Sequence, residues 1–207
     1  MNGVTFSAEG IVTGNTFDKY GSGNPVVRRL MAGFEGALEE LVDRADPESL
    51  LDVGCGEGAL AQRLARRLPS RRVVGVDLQE DSIQAGWSEH AAPNLSYQTL
   101  DGGELPFAPG EFDMVSAIEV LEHVPDPQRT LREMSRCAQR HLLVSVPREP
   151  LWRALNVARG AYWSALGNTP GHVNHWSRRS FIELLRGHGE IVAVRSPFPW
   201  TMLLVRL

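Results

Sequence analysis

Residues 50–58 read LLDVGCGEG, an apolar run that breaks into three alternating glycines, Gly54, Gly56 and Gly58. Leu60, Leu64 and Leu68 follow at helical spacing. The pattern predicts a buried strand that turns sharply into a helix. Glycine lets a backbone turn tightly and approach a ligand closely. In an open α/β sheet this position, outside the carboxyl ends of the strands, is where the ligand sits. The next apolar run, Arg72–Asp77, ends in a carboxylate. An acid there can accept hydrogen bonds from both hydroxyls of a ribose.

The same alternation continues along the chain. Asn24-Pro25 predicts a capped helix start, and Val26, Val27, Leu30, Met31, Phe34, Leu38 and Leu41 keep helical spacing. A helix is expected over Glu80–His90, and strands over Leu95–Leu100, Phe112–Ala117 and His141–Val146. Asp126-Pro127 opens a further helix with Leu131, Met134 and Ala138 facing inward. Alternating β and α at short intervals implies a parallel sheet with helices on both faces, a three-layer α/β sandwich. Leu151–Leu166 is expected as one amphipathic stretch, followed by a helix near Ser177–His188. The last two strands, Ile191–Ser196 and Trp200–Leu207, are joined by Pro197-Phe198-Pro199. That link is too short for a crossover helix, so the last strand should run antiparallel.

A single domain over 1–207 is expected, in four segments. These are an N-terminal arm and lid helix (1–45), a ligand-binding core (46–147), a cap insertion (148–178), and the last helix with its strand pair (179–207). The net charge of −4 argues against a nucleic-acid partner. Two cysteines cannot build a four-thiolate zinc site or a disulfide framework. The first residues lack the basic-then-apolar signature of a signal peptide, and no 18-residue apolar run occurs. The expectation is a cytoplasmic protein without stable membrane insertion, monomeric or homodimeric.

The glycine loop also satisfies the dinucleotide pattern GxGxx[G/A], which alone is weak. Asp52 beside it discriminates. A pyrophosphate would be repelled by that carboxylate; a ligand bearing an ammonium and a sulfonium would be attracted. LLDVGCGEG, then VVGVD, then LDGGELPFAPGEFDMVSAIEVLEHVPDP, resemble the successive motifs of class I S-adenosylmethionine-dependent methyltransferases. The resemblance covers roughly residues 48–146 and implies a Rossmann-like seven-stranded sheet. It also implies S-adenosyl-L-methionine as cofactor, S-adenosyl-L-homocysteine (SAH) as product, and roles for matching residues. Gly54, Gly56 and Gly58 would shape the loop under the cofactor, with Cys55 a small packing residue inside it. Asp52 would lie near the cofactor's amino end, and Asp77 would hold the ribose. Asp101 would contact the adenine, with Gly102 and Leu78 beside the ring; a plain turn aspartate is the alternative. Ala117, Ile118 and Glu119 would flank the methionine part, and Tyr20 is the expected contact from the arm.

Glu119, Glu122 and His123 would share one face if their segment were helical. With His172 they form the expected catalytic cluster, Glu119, His123 and His172 foremost. Glu-x-x-Glu-His followed by His-x-x-x-Trp is similar to a subset of metal-dependent O-methyltransferases. That subset includes enzymes acting on the terminal ribose of small RNAs and, less closely, quinone-biosynthesis enzymes. A divalent metal is one reading; a metal-free imidazole base is the favoured one. Trp152, Trp163 and Trp176, with Leu151, Leu155, Tyr162 and Leu166, are candidates for an apolar acceptor wall or for ordinary packing. Peripheral membrane contact by this Trp- and Arg-bearing helix is a further option. The function expected is methyl transfer to a small-molecule acceptor, at oxygen. An NAD(P)-dependent oxidoreductase and a non-catalytic cofactor-binding module are the alternatives.

Overall fold

The computed structural model describes residues 23–100 and 104–207, together with a two-residue strand pair, β1 (Thr5–Phe6) and β2 (Val12–Thr13). The expectations for Tyr20, Asp101, Gly102 and the arm ahead of residue 23 therefore lie outside the described residues, whereas the lid helix is described, as α1 (Pro25–Ala45).

After α1 (Pro25–Ala45) come β3 (Ser49–Val53), α2 (Ala59–Arg67), β4 (Arg72–Leu78), α3 (Asp81–Glu89) and β5 (Leu95–Leu100). Then follow β6 (Phe112–Ile118), α4 (Pro127–Cys137) and β7 (Ala138–Pro147). The chain ends with α5 (Leu151–Ala158), α6 (Arg178–Arg186), β8 (Glu190–Arg195) and β9 (Trp200–Arg206). Seven strands form one sheet in the order β5-β4-β3-β6-β7-β9-β8. The pairs from β5 to β7 are parallel, and β9 is antiparallel to both its neighbours. The strand order reverses between β3 and β6, which opens a crevice beyond their carboxyl ends.

Pleat alternation builds the two core layers. Leu50, Met114 and Leu143 pack with Phe34, Leu38 and Leu64 of α1 and α2. Leu51, Val115 and Leu142 pack with Leu131 and Phe181 of α4 and α6. β6 is buried along its whole length, as a central strand covered on both faces should be. The helix starts obey their cap chemistry. Asn24 Oδ1 accepts from Val26 N at 2.9 Å, Asp126 Oδ1 from Arg129 N at 2.9 Å, and Ser177 Oγ from Ser180 N at 3.1 Å.

Two segments depart from expectation. Ala138 opens β7 rather than closing α4. The Leu151–Leu166 stretch is not one helix: α5 stops at Ala158, and Gly160, at φ +77°, turns the chain away. A single 3₁₀ turn, Trp163–Ala165, follows, flanked by Tyr162 and Leu166 with positive φ. Periodicity carried across Gly160 masked the break, because glycine ends helices in this left-handed conformation.

Candidate active site

One cavity of about 980 Å³ runs along the crevice, from the glycine loop to the segment after α5. Its two ends are built by different parts of the chain.

At the first end, Gly54, Gly56 and Gly58 all have positive φ, the backbone region glycine tolerates. A Cβ on Gly54 would lie 2.5 Å from Val120, whereas Gly56 faces open space. Gly54 N and Cys55 N both donate to Val76 O, which ties the loop to β4. Asp77 Oδ2 accepts from Gly56 N at 2.6 Å and Oδ1 from Leu78 N at 2.7 Å. A carboxylate has about four lone-pair sites, so these bonds leave acceptor capacity toward the cavity. Burial raises the Asp77 pKa, opposed by those two amides.

Asp52 is buried and takes a 2.7 Å bond from Ser116 Oγ. Desolvation pushes its pKa up to about 7; the Ser116 bond works against this and the nearby Asp77 charge adds to it. A cationic group at this end would favour the ionised form. Because the raised pKa keeps Asp52 protonated below pH 7, SAH affinity should rise as pH increases from 5.5 toward 8. The linkage is at most about tenfold per pH unit. Calorimetry in buffers of different ionisation enthalpy should register the proton released. Cys55 is buried inside the loop with its thiol pKa raised by desolvation, a packing residue rather than a nucleophile. Leu78, Ile118 and Glu119 line the cavity, while Ala117 is fully buried in β6 and packs in the core.

At the second end the segment after β6 is a turn, not a helix. Glu119 stands at φ +62° at the start of this turn and lines the same cavity as His123 and His172. Its Oε1 accepts from Ser145 Oγ at 3.1 Å and its Oε2 from Trp200 Nε1 at 2.6 Å. Glu119 thus bridges β7 and β9 at the edge of the cavity.

Glu122, His123 and His172 do converge: one potential ligand atom from each lies within 4.8 Å of the others. The two imidazoles meet edge-to-face, with ring centroids 4.9 Å apart. Two chain segments about fifty residues apart are stapled to make this meeting. Val173 N and Asn174 N both donate to Glu122 O, at 2.9 and 3.1 Å. Asn174 Nδ2 donates to Leu121 O and Val124 O. His123 Nδ1 lies 3.1 Å from Gly171 O. A carbonyl only accepts, so Nδ1 carries the proton and Nε2 keeps its lone pair. On the other side of the loop, Asn156 Nδ2 donates to Gly167 O, and Trp152 Nε1 donates to Thr169 Oγ1.

The aromatic wall differs from the one expected. Trp152 stacks on His172 at 6.2 Å and meets Trp200 at 5.8 Å, and Trp200 meets Phe34 at 4.9 Å. Leu155 and Tyr162 also line the cavity. Trp176 instead packs on Phe181, and Trp163 and Leu166 are exposed. Phe34, Trp200, Asn156 and Asn174 carry no local signal of their place in the site. Trp200 stands out only as a large aromatic at a strand start beside two prolines.

The chain matches the methyltransferase domain family over residues 27–190. A ubiquinone biosynthesis O-methyltransferase of Methylococcus capsulatus is 31% identical over 153 residues, 65% of this chain and 62% of that protein. One of Albidiferax ferrireducens is 40% identical over 89 residues, 41% of this chain and 34% of that protein. The chain thus spans less than two thirds of the length of these relatives. Magnesium protoporphyrin IX methyltransferase from Synechocystis, solved with bound SAH, superposes with a TM-score of 0.64 at 22% identity. That match covers 91% of this chain and 90% of that one. A SAM-dependent methyltransferase from Aquifex aeolicus gives 0.66 at 15% identity, covering 88% and 93%. By the family match over most of its length, on this sheet and around this glycine loop, the chain belongs to the class I S-adenosylmethionine-dependent methyltransferases.

Proposed function

We propose that the protein transfers a methyl group from S-adenosylmethionine to a hydroxyl oxygen of a small-molecule acceptor. The observation that carries this reading is the meeting of His123 and His172 in the same cavity as the glycine loop. When bound, the cofactor supplies the transferable methyl and the sulfur leaving group. Asp77 would hold its ribose hydroxyls beside the glycine loop, and Asp52 would face its ammonium. Trp152, Trp200 and Leu155 exclude water from the acceptor side. His123 Nε2 takes the hydroxyl proton as the new C–O bond forms and the C–S bond breaks. Alignment of the two reactants can supply about 7–11 kcal/mol of the barrier reduction. The O-methyltransferase names of the sequence relatives agree with an oxygen acceptor.

The close set of Glu122, His123 and His172 favours a second form of the same reaction. One carboxylate and two imidazoles suit Mn, Zn or Fe, and His123 is oriented through its second nitrogen as metal ligands are. An ion there would lower the pKa of a bound hydroxyl. Turnover assays on phenolic, catecholic and sugar hydroxyls, with and without EDTA, decide between the forms. Activity that survives EDTA supports the base. Activity lost to EDTA and restored by Mn, Zn or Fe(II), with SAH affinity unchanged, supports the ion. Methylation confined to nitrogen or carbon acceptors would overturn both.

A further inference from the structure

The glycine loop rests on a feature that methyl transfer does not itself require. Trp87 of α3 and Tyr97 of β5 stack face to face, with centroids 5.0 Å apart and planes 5° apart. Both reach polar atoms into the loop. Trp87 Nε1 donates to Gly56 O at 2.8 Å. Tyr97 Oη lies 3.2 Å from Gly58 O and 2.8 Å from His90 O.

Three glycines clear the space for this arrangement. A Cβ on Gly58 would lie 2.3 Å from Tyr97 Oη, and one on Gly75 2.9 Å from the Tyr97 ring. A Cβ on Gly86 would lie 2.6 Å from Glu57 Cβ, so only glycine lets α3 close on the loop. The consequence falls on Gly56. Its N–H is held by Asp77 and its C=O by Trp87, so both sides of a left-handed residue are clamped. Without the indole N–H, the Gly56 carbonyl loses this anchor, and rotation about Gly56 would carry its own N–H, and the Asp77 carboxylate bonded to it, off their present orientation.

We propose that Trp87 is a positioning residue for the cofactor, acting through Gly56 on the Asp77 carboxylate. This rests on the reading of the glycine loop as the cofactor's seat. The indole contributes a directed N–H, and the stack on Tyr97 holds it in line. Trp87 touches no reacting atom, so its influence belongs to cofactor affinity and not to the chemical step.

The test is equilibrium binding of SAH by calorimetry to wild type, Trp87→Phe, Asp77→Asn and the double variant. Trp87→Phe keeps a ring for the stack and removes only the donor. Its SAH Kd should rise about 3–15-fold, the scale of one lost hydrogen bond. KM for the cofactor should rise with it, while kcat at saturation stays within about twofold. In the Asp77→Asn background the same substitution should cost less than about twofold, since the group it acts through is already altered. Equal factors in the two backgrounds, or an unchanged Kd in folded Trp87→Phe, would overturn the proposal. Should Trp87→Phe not fold, Trp87→His is compared in the wild-type and Asp77→Asn backgrounds instead: its effect on SAH Kd should again be smaller in the second, and equal factors in the two would overturn the proposal. Failure of the wild type itself to bind SAH would overturn the cofactor reading first, and this inference with it.

Discussion

His123→Ala should lower kcat by about 10²–10⁴-fold while SAH affinity stays within about twofold. That range is the usual contribution of a positioned acid–base group. The argument is positional. His123 presents a lone pair on Nε2 because Gly171 O holds the proton on Nδ1. Its side chain lies on the turn after β6, the strand flanking the sheet's switch point, and it lines the cavity. It stands at the acceptor end of the cavity, away from the Asp77 carboxylate, so the loss should fall on turnover and not on cofactor affinity. His172→Ala should fall in the same direction but cost Trp152 its stacking partner as well. Initial rates with saturating cofactor, read beside SAH calorimetry, separate the two effects. A His123→Ala variant with near wild-type kcat would remove the imidazole from the chemistry.

Asp77→Ala should weaken SAH binding by about 1.5–3 kcal/mol, the cost of losing hydrogen bonds to a charged group. Two amides already converge on this carboxylate, and their bonds draw its pKa down against the desolvation that raises it. A preset, fixed acceptor binds ligand hydroxyls without a further ordering cost. The loss should appear in affinity and in cofactor KM, with kcat at saturation little changed. Affinity equal to wild type would mean that the ribose contacts lie elsewhere.

The cofactor end was readable from the chain because its determinants are local. The strand, the three glycines and the next strand's terminal acid are adjacent or one element apart, and their periodicities are regular. Helix starts were equally legible at Asn24 and Asp126, where cap and proline stand together. The acceptor end was readable only in part. Its histidines drew notice by residue type, but what joins them is Asn174, one polar residue in an aperiodic loop. The segment from Glu119 to His123 is a turn and not a helix because a left-handed residue follows the strand, which residue spacing alone does not signal. Trp200 and Phe34 are core residues, and their second role as cavity wall arises only when α1 and β9 meet.

The two hydrogen bonds from Val173 N and Asn174 N to the single carbonyl of Glu122 turn two amides into gauges of the cluster of Glu122, His123 and His172. Both amide protons report on the seam between the turn after β6 and the loop bearing His172. Their exchange with deuterium measures how often that seam opens. An acceptor, an ion or a distant substitution that tightens the active centre therefore writes itself into two backbone signals, and none of the reacting side chains needs to be labelled or changed to read it.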